Sequence, residues 1–357
     1  MSTGMKIEIS KTKQPKVKPD FSQLGFGKYF SDHMFMAQFT KTQGWHSARI
    51  QPYGPLSIEP GASVLHYSQT LFEGMKAFRQ TNGDIVLFRP SFNAKRLQQG
   101  ADRLCMEAPP TELMTQALHE LVKADHDWVP TAFGSSLYLR PTLIGTESFL
   151  GVRPSDDYLF YIIASPVGSY YSEGSNPVKI WIESEYIRAA KGGLGFTKAG
   201  ANYAASLKAA LVAKKKGYSQ VLWLDPNHEK IEEVGTMNVF FVFENEIVTP
   251  ALSGTILAGG VRECAIQMLK HLDYKVSERT ITLDEVKKSH DAGKLKEVFG
   301  TGTAAVISPV GELANEHIKM VINNNQAGEV AKQLYSEITA IQYGHKKDIF
   351  NWLEKVM

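Results

Sequence analysis

The sequence of 357 residues has only two cysteines, no long apolar run and no excess of one charge. Cys105 and Cys264 lie too far apart in the chain to form a CxxC metal or redox pair, and they cannot build a disulfide framework. The longest apolar stretch, 159–164, is strand-sized, whereas a membrane-spanning helix needs about 18 residues. We therefore expect a protein of a reducing compartment that is not integral to a membrane.

The charge balance also excludes classes of partner. There are 39 Lys and Arg residues against 37 Asp and Glu, a net charge of +2 that is too small for a protein that neutralises nucleic-acid phosphates. The first twenty residues carry five lysines but no apolar segment, and the first arginine is Arg49, which argues against secretory and mitochondrial signals. The cytoplasm is the expected location, and nucleic acid is not an expected partner.

What the sequence does contain is typical of a globular protein of two domains. It is 43% apolar and 21% charged, and its length exceeds that of one average domain. The segment 166–177 is dense in Gly, Pro, Ser and Asn, so we expect an interdomain loop there. The predicted domains are a smaller N-terminal one at 1–165 and a larger C-terminal one at 178–357, which carries Lys198.

The first domain reads mainly as strands, with two helices. Asn82-Gly83 predicts a type I′ hairpin turn within 75–89. Ser91 is the expected N-cap of a helix to about residue 104, and apolar spacing predicts a second helix over 111–124. Strands at 137–144 and 158–164 complete this half.

The second domain alternates strands and helices. Predicted strands lie at 178–183, 220–224, 238–243 and 247–249, and predicted helices at 203–216, 260–272 and 327–343. Thr282 with Glu285 forms a capping-box pattern for one further helix. The whole chain is expected to be α+β in two domains.

Lys198 is the first residue with chemical potential. It stands in a glycine-rich segment, KGGLGFTKAG at 191–200, just before a predicted helix. Glycines let the backbone approach a flat ligand, and a lysine in an apolar pocket loses its charge and becomes a Schiff-base nucleophile. A solvated lysine in a flexible loop is the other interpretation of the same pattern.

Three further segments could bind an anion or a polar ring. ILAGGVR at 256–262 enters a helix, whose N-terminal N–H groups favour a phosphate. FGTGTAA at 299–305 is a strand that breaks into a loop rich in small residues and hydroxyls, and Glu232-Glu233 lies between two strands. Tight turns and a solvated acidic pair are the alternative interpretations. None of these segments has the GxGxxG or P-loop spacing.

Taken together and in this order, the segments resemble the branched-chain amino-acid aminotransferases, fold-type IV enzymes that depend on pyridoxal phosphate. The resemblance runs from about Phe26 to Trp352. It includes LFEGMKAF at 71–78, AGANY at 199–203 and EVGTMN at 233–238. It implies the two-domain fold-type IV architecture and pyridoxal 5′-phosphate as the cofactor.

The resemblance assigns the reacting end of the cofactor to three residues. Lys198 is the catalytic residue, which carries the cofactor as a Schiff base and later moves the proton between Cα and C4′. Glu233, rather than Glu232, keeps the pyridine nitrogen protonated, and Tyr203 hydrogen-bonds the phenolic oxygen.

The phosphate end is assigned in the same way. Arg96 is implied as the phosphate-binding arginine, with Thr236 near the ring. Other cofactor-binding residues implied by the resemblance are Leu257, Gly260, Val261 and Thr301.

The substrate pocket is implied by a further set. The backbone N–H groups of Thr303 and Ala304, with Tyr67, hold the α-carboxylate, and Arg140 accommodates the distal carboxylate of glutamate. The aromatic walls of the side-chain pocket are Phe26, Phe72, Tyr138 and Tyr170. Packing in a core, or a surface ion pair for the arginines, is the alternative interpretation of these residues.

The loop LGV at 150–152 resembles one that reaches into a neighbouring subunit, so a homodimer is implied in which Val152 contacts the partner's substrate. Some positions depart from the family pattern. Ala258 replaces a common proline and Ala201 a common glycine. Ala305 and Ser308 stand where animal relatives have a thiol pair, so no such thiol switch is expected.

The function implied is a reversible ping-pong transamination of L-leucine, L-isoleucine and L-valine with 2-oxoglutarate. A D-amino-acid or R-selective amine transaminase, or an aminodeoxychorismate lyase, is the alternative within the same fold type. A non-catalytic protein that binds pyridoxal phosphate is the alternative from another class; the joint presence of Lys198 and Glu233 argues against it. A nucleic-acid-binding module is a third, disfavoured by the net charge.

Overall fold

A computed structural model describes residues 5–168 and 176–357. The strands are β1 Glu8–Ile9, β2 His33–Thr40, β3 Gly44–Pro52, β4 Thr70–Phe72, β5 Met75–Arg79, β6 Ile85–Phe88, β7 Ser136–Gly145, β8 Asp157–Val167, β9 Val178–Ile182, β10 Gln220–Leu224, β11 Ile231–Val234, β12 Asn238–Phe243, β13 Ile247–Thr249, β14 Val276–Glu278, β15 Leu295–Gly302, β16 Val306–Ala314, β17 Lys319–Val321 and β18 Leu353–Lys355. The helices are α1 Ser63–Tyr67, α2 Pro90–Arg103, α3 Thr111–Ala124, α4 Gly200–Lys215, α5 Gly260–His271, α6 Leu283–Asp291 and α7 Glu329–Gln342.

The chain divides into two compact units. Unit 1 contains Met1–Tyr170, Thr197–Ala201 and Ile341–Met357, and unit 2 contains Tyr171–Phe196 and Asn202–Ala340. Each unit is built on one sheet and carries helices, so the α+β class expected from the sequence is confirmed. The predicted loop at 166–177 and the domain limits around it remain a prediction. Lys198 itself belongs to unit 1, because its segment pairs with β4.

The sheet of unit 1 has the order β1-β3-β2-β8-β7-β5-β6-β18, with β4 also paired to β7. Apart from the parallel β1–β3 pair it is antiparallel. Helix α3 packs on β2 and α2 packs on β4. The predicted helix over 111–124 is confirmed, and its apolar face is buried.

Two local predictions in unit 1 are wrong. Asn82 does not have the positive φ that a type I′ turn requires at both central residues; only Gly83 does, at 90°. The Gly83 N–H donates to the Gln80 carbonyl, and the loop between β5 and β6 is longer than two residues, which removes the need for a type I′ turn. Ser91 is not the N-cap of α2, because the helix begins at Pro90 and the Ser91 hydroxyl donates to Glu354.

The sheet of unit 2 has the order β11-β10-β9-β16-β15-β12-β13-β14, with β17 on β16. Helices α5 and α6 pack on β15. The capping box is confirmed in part, since the Thr282 hydroxyl accepts the Glu285 N–H at 3.1 Å. The helices predicted over 203–216, 260–272 and 327–343 also form, within three residues of the expected ends.

Among residues 5–168 and 176–357, none of the helices is both long and apolar enough to cross a membrane.

Candidate active site

The segment around Lys198 runs beside β4 in unit 1. The Phe72 N–H donates to the Lys198 carbonyl at 3.1 Å, and Ala199 bridges to Leu71. Gly200 permits this approach, because a Cβ there would lie 2.7 Å from a methyl group of Thr70. The glycine-rich sequence therefore places the lysine against the strand rather than in a free loop.

The Lys198 amine has a lowered basicity. Burial, assisted by the positive charge of Arg96, lowers its pKa to about 8. Its Nζ lies 4.7 Å from the centre of the Phe72 ring. The neutral form of this amine is consequently far more populated near physiological pH than in an ordinary lysine, although it remains the minority, and a neutral amine is nucleophilic.

Arg96 is held by a buried ion pair. Its Nε and Nη2 donate to the two carboxylate oxygens of Glu73 at 2.8 and 2.6 Å, and Asn93 Nδ2 donates to Glu73 Oε2 at 2.7 Å. Glu73 is fully buried. This fork sets the plane of the guanidinium, as expected for an arginine that must present a fixed face to an anion.

One guanidinium lies among the aromatic residues predicted for the substrate pocket. Arg140 Nη2 donates to the Tyr138 hydroxyl at 3.1 Å, and its Cζ lies 4.7 Å from the Phe72 ring centre. The Phe26 and Tyr138 rings meet edge to face at 5.1 Å. Unit 1 thus brings Lys198 and Arg140 to the same aromatic ring, with apolar walls beside them.

Gly74 is required by the position of Tyr138, since a Cβ at residue 74 would overlap the tyrosine hydroxyl. We expect Gly74→Ala to displace the Tyr138 ring, to lower the free energy of unfolding by about 1–3 kcal/mol through overpacking, and to raise the KM for a substrate that contacts this aromatic cluster. Gly54→Ala is the control, because open space surrounds its Cβ position. Denaturant unfolding and steady-state kinetics check both variants, and equal behaviour of the two would contradict the prediction.

Two predicted substrate residues of unit 1, Tyr67 and Val152, lie outside this cluster. The Tyr67 hydroxyl donates to the Leu150 carbonyl, and Tyr67 is 40% exposed. Val152 is 86% exposed on the same loop as Leu150. Tyr170 lies outside the described residues.

Glu233 occupies β11 of unit 2 and is buried. Its Oε1 accepts the Leu257 N–H at 2.8 Å and lies 3.3 Å from Arg188 Nη2. The positive guanidinium and the N–H group both stabilise a carboxylate. Glu233 is therefore arranged as an anion that can hold a proton on a neighbouring base.

The loop before α5 is tied to β12. Asn238 Nδ2 donates to the Leu257 carbonyl at 2.8 Å, and a Cβ at Gly259 would overlap the Asn238 side chain. Gly260 and Val261 then form the first turn of α5, so their N–H groups belong to the positive end of a 12-residue helix.

Thr301 carries a buried hydroxyl with no hydrogen-bond partner among residues 5–168 and 176–357. A buried polar atom of this kind costs free energy unless a ligand or water bonds it. Thr303 and Ala304 follow in the turn from β15 to β16, where Val306 has a φ of 63°. Tyr203 lies in the first turns of α4, and Thr236 is exposed between β11 and β12.

Sequence reasoning did not single out Glu73, Asn93 or Arg188. Glu73 stands inside LFEGMKAF, and its bond to Arg96 spans 23 positions, so no local spacing indicated it. Arg188 lies between β9 and α4 and reaches Glu233. Its only sequence signal is a charge in a segment that is otherwise short of arginine.

Comparison with known proteins identifies the family of this chain. The family model described as Amino-transferase class IV matches residues 70–313, more than half of the chain. The chain belongs to the class IV aminotransferases.

Within that class, relatives that match over nearly their full length are named for the transamination of branched-chain amino acids. Branched-chain-amino-acid aminotransferase 2 of Bacillus subtilis is 53% identical over 99% of this chain and 97% of its own length. Branched-chain-amino-acid transaminase 1 of the same organism is 49% identical over 98% and 99%.

Solved structures agree on the fold. The Escherichia coli branched-chain amino acid aminotransferase has a TM-score of 0.77 at 23% identity, over 91% of this chain and 99% of that one. The Thermobaculum terrenum branched-chain amino acid aminotransferase, solved in its PLP-form, has a TM-score of 0.73 at 22% identity, over 91% and 98%.

Proposed function

We propose that this protein transfers the amino group of L-leucine, L-isoleucine or L-valine to 2-oxoglutarate, reversibly and by a ping-pong mechanism, with pyridoxal 5′-phosphate as its cofactor. The observation that carries the proposal is the Lys198 amine, whose pKa is lowered to about 8 and which shares the Phe72 ring with Arg140. A nucleophilic amine beside aromatic walls and one guanidinium suits both apolar and acidic substrates. The full-length relatives, named for this reaction, support it.

The residues present fit the cofactor. The buried Thr301 hydroxyl lacks a partner among the described residues, and the N-terminus of α5 offers the N–H groups of Gly260 and Val261, which suit a phosphate. Arg96 supplies a buried guanidinium whose plane Glu73 sets. When bound, pyridoxal phosphate supplies an aldehyde that carries the amino group and a ring that absorbs the electrons of a carbanion.

The chain's own residues then have separate tasks. Lys198 would hold the cofactor covalently through its Nζ, with loss of water, and once released by the substrate amine its Nζ would carry the proton removed from the substrate α-carbon. Glu233, stabilised by Arg188 and the Leu257 N–H, holds the proton of the ring nitrogen. Tyr203 is assigned to the phenolic oxygen. Thr236 is assigned to the ring.

Substrate recognition follows from the cluster in unit 1. Phe26, Phe72 and Tyr138 provide an apolar wall for a branched side chain. Arg140 lies at the same wall and pairs with the distal carboxylate when glutamate is the donor. The turn of Thr303 and Ala304 is assigned to the α-carboxylate.

Absorption spectroscopy of the purified protein tests the proposal. The band of the bound cofactor should bleach when L-leucine is added, stay when D-leucine is added, and return with 2-oxoglutarate. A response to D-leucine alone would indicate a D-amino-acid transaminase. Pyruvate release from aminodeoxychorismate would indicate the lyase. No band after incubation with pyridoxal phosphate would refute the cofactor.

The capture of added cofactor should depend on pH. Since Lys198 must be neutral to attack, the rate of covalent capture by the apoprotein should rise with pH and level off above about pH 8, where its pKa lies. Stopped-flow absorbance after mixing with pyridoxal phosphate measures this rate. A rate that does not change from about pH 6 to about pH 9, on either side of the Lys198 pKa of about 8, would contradict the assignment of Lys198 as the attacking amine.

Arg140→Met should separate the two substrates. The variant loses the charged hydrogen bonds between Arg140 and the distal carboxylate of glutamate or 2-oxoglutarate. The KM for these two substrates should therefore rise roughly 10- to 100-fold, while the KM for leucine changes little. Arg103→Met, at an exposed position in the last turn of α2, is the control. Equal losses for both substrates would show that Arg140 has no part in discrimination.

We assign the reaction to the cytoplasm and to a homodimer in which Val152 reaches the partner's pocket. The exposure of Leu150 and Val152, 68% and 86%, supports an intersubunit role, because large apolar side chains are costly in water. Sedimentation of an active monomer would refute the dimer.

A further inference from the structure

Glu232 is a buried carboxyl that the proposed reaction does not use. It lies next to Glu233 on β11, and successive strand residues normally face opposite sides. The β10–β11 pairing opposes Trp223 to Glu233 and Leu224 to Ile231, which leaves Glu232 without an opposite residue. Such a bulge re-aims a side chain.

The result is that both carboxyls reach one short segment. Glu233 Oε1 accepts the Leu257 N–H, and Glu232 Oε1 lies 2.5 Å from the Thr255 hydroxyl. The second oxygen of Glu232 is buried and has no hydrogen-bond partner within the described part of the chain.

The guanidinium of Arg188 lies beside this pair. Arg188 Nη2 donates to the carbonyls of Gly195 and Thr255 and lies 3.3 Å from Glu233 Oε1. Glu183 steadies the loop before it by accepting three successive N–H groups, from residues 184–186. The one positive charge of Arg188 cannot neutralise two buried carboxylates, and a buried medium solvates charge poorly.

The environment selects which carboxyl keeps a proton. Burial raises the pKa of Glu232, and the negative charges of Glu233 and Asp225 act in the same direction, whereas the Thr255 bond and Arg188 oppose them. Glu233 has a guanidinium and an N–H donor, while Glu232 has one hydroxyl. Glu232 is therefore the carboxyl that is more easily kept neutral.

A path for that proton is present. Thr255 Oγ1 lies 2.5 Å from Glu232 Oε1 and 2.8 Å from Ser253 Oγ, and Ser253 is exposed. When Glu232 Oε1 carries the proton, it donates to Thr255, which donates to Ser253. The two hydroxyls connect the buried acid to water.

We infer that Glu232 is a positioning residue that stands as the neutral carboxylic acid, exchanges its proton with water through Thr255 and Ser253, and so leaves the charge of Arg188 to Glu233. The link to catalysis rests on the proposed role of Glu233. The protonation of Glu232 and the path by which its proton exchanges are independent of that role.

Infrared difference spectroscopy of the holoenzyme at neutral pH tests the protonation. Wild type minus Glu232→Gln should show the carbonyl stretch of a protonated carboxylic acid, which shifts in heavy water. Glu297→Gln is the control, because the oxygens of Glu297 accept the N–H groups of Val330 and Ala331 at 3.0 Å, and its difference spectrum should lack that band. Absence of the acid band from the Glu232 difference would overturn the inference.

Proton exchange through Thr255 and Ser253 can be measured separately. After the protein is mixed into heavy water, the carbonyl band of the Glu232 acid should shift more slowly in Thr255→Val than in wild type. Thr249→Val removes another buried threonine hydroxyl of unit 2, bonded to the Val239 carbonyl, and should leave the rate unchanged. Equal rates in the two variants would overturn the relay.

Stability against pH gives a readout independent of the band. Folding raises the pKa of Glu232, so the folded chain holds this proton more tightly, and the group lowers stability as pH rises above the ordinary carboxyl range. The stability advantage of Glu232→Gln over wild type should grow with pH, as measured by denaturant unfolding. A constant or shrinking difference would count against a neutral Glu232.

A positioning role also requires an effect on the cofactor's surroundings. The absorbance of the bound cofactor against pH should contain one transition fewer in Glu232→Gln than in wild type, and the same number in Glu297→Gln. An identical profile in the Glu232 variant would reject the positioning role. If the acid band is present but Glu233 proves unimportant, the proposed role of Glu233 fails while the protonation of Glu232 stands.

Discussion

Replacing Lys198 with alanine should abolish turnover and leave a folded protein. The amine is the nucleophile and the proton carrier of the proposed reaction, so kcat should fall by roughly 10⁴-fold or more, the upper end of what a positioned proton-transfer group contributes. Alanine only removes side-chain atoms at this position, so it creates no clash with β4. Initial rates with leucine and 2-oxoglutarate measure the loss, and circular dichroism verifies the fold.

The cofactor separates this effect from unfolding. In Lys198→Ala, pyridoxal phosphate should be removable by dialysis, because no covalent bond retains it. Lys191→Ala changes an exposed lysine of the same glycine-rich segment and should retain both the cofactor and the activity. Substantial turnover by the Lys198 variant would reject the catalytic assignment.

Replacing Glu233 with glutamine should be the second largest loss. The amide keeps the shape of the side chain but cannot hold a proton on the ring nitrogen as an anion does. We expect kcat to fall roughly 10²- to 10³-fold, the range for removing one electrostatic contact that stabilises a transition state. Single-turnover kinetics with L-leucine isolate the step.

Glu297→Gln is the control for this change. Glu297 is another buried carboxylate of unit 2, and its oxygens accept the N–H groups of Val330 and Ala331. The Glu297 variant should keep a kcat close to wild type. If both variants lose activity equally, the loss reflects general damage to unit 2 rather than the role of one carboxylate.

Local signals predicted much of the fold. The helix over 111–124 follows from apolar spacing alone, and the start of α6 follows from Thr282 and Glu285 within one turn. Such signals involve residues within four positions of each other, so they do not depend on the rest of the molecule. The family resemblance extended this to the residue types expected at the site.

The two wrong local predictions have a tertiary cause. Asn82-Gly83 favours a two-residue turn, but the last β5–β6 pair is Arg79 with Ile85, and in the longer loop between them the Thr81 N–H donates to the Tyr343 carbonyl at 3.0 Å. Ser91 is a good N-cap, but its hydroxyl bonds Glu354, which lies 263 positions later. In both cases a distant partner outweighs the local preference.

The sequence by itself determined which residues are available for chemistry: one lysine among glycines, an acidic pair between strands, and two loops of the kind that bind phosphate. Tertiary structure decided their properties. Glu73 orients Arg96 across 23 positions, and Arg188 pairs with Glu233. The lowered pKa of Lys198 comes from burial and from Arg96. Charge, burial and hydrogen bonding depend on which distant groups fold into contact, and no pattern of neighbours along the chain contains that information.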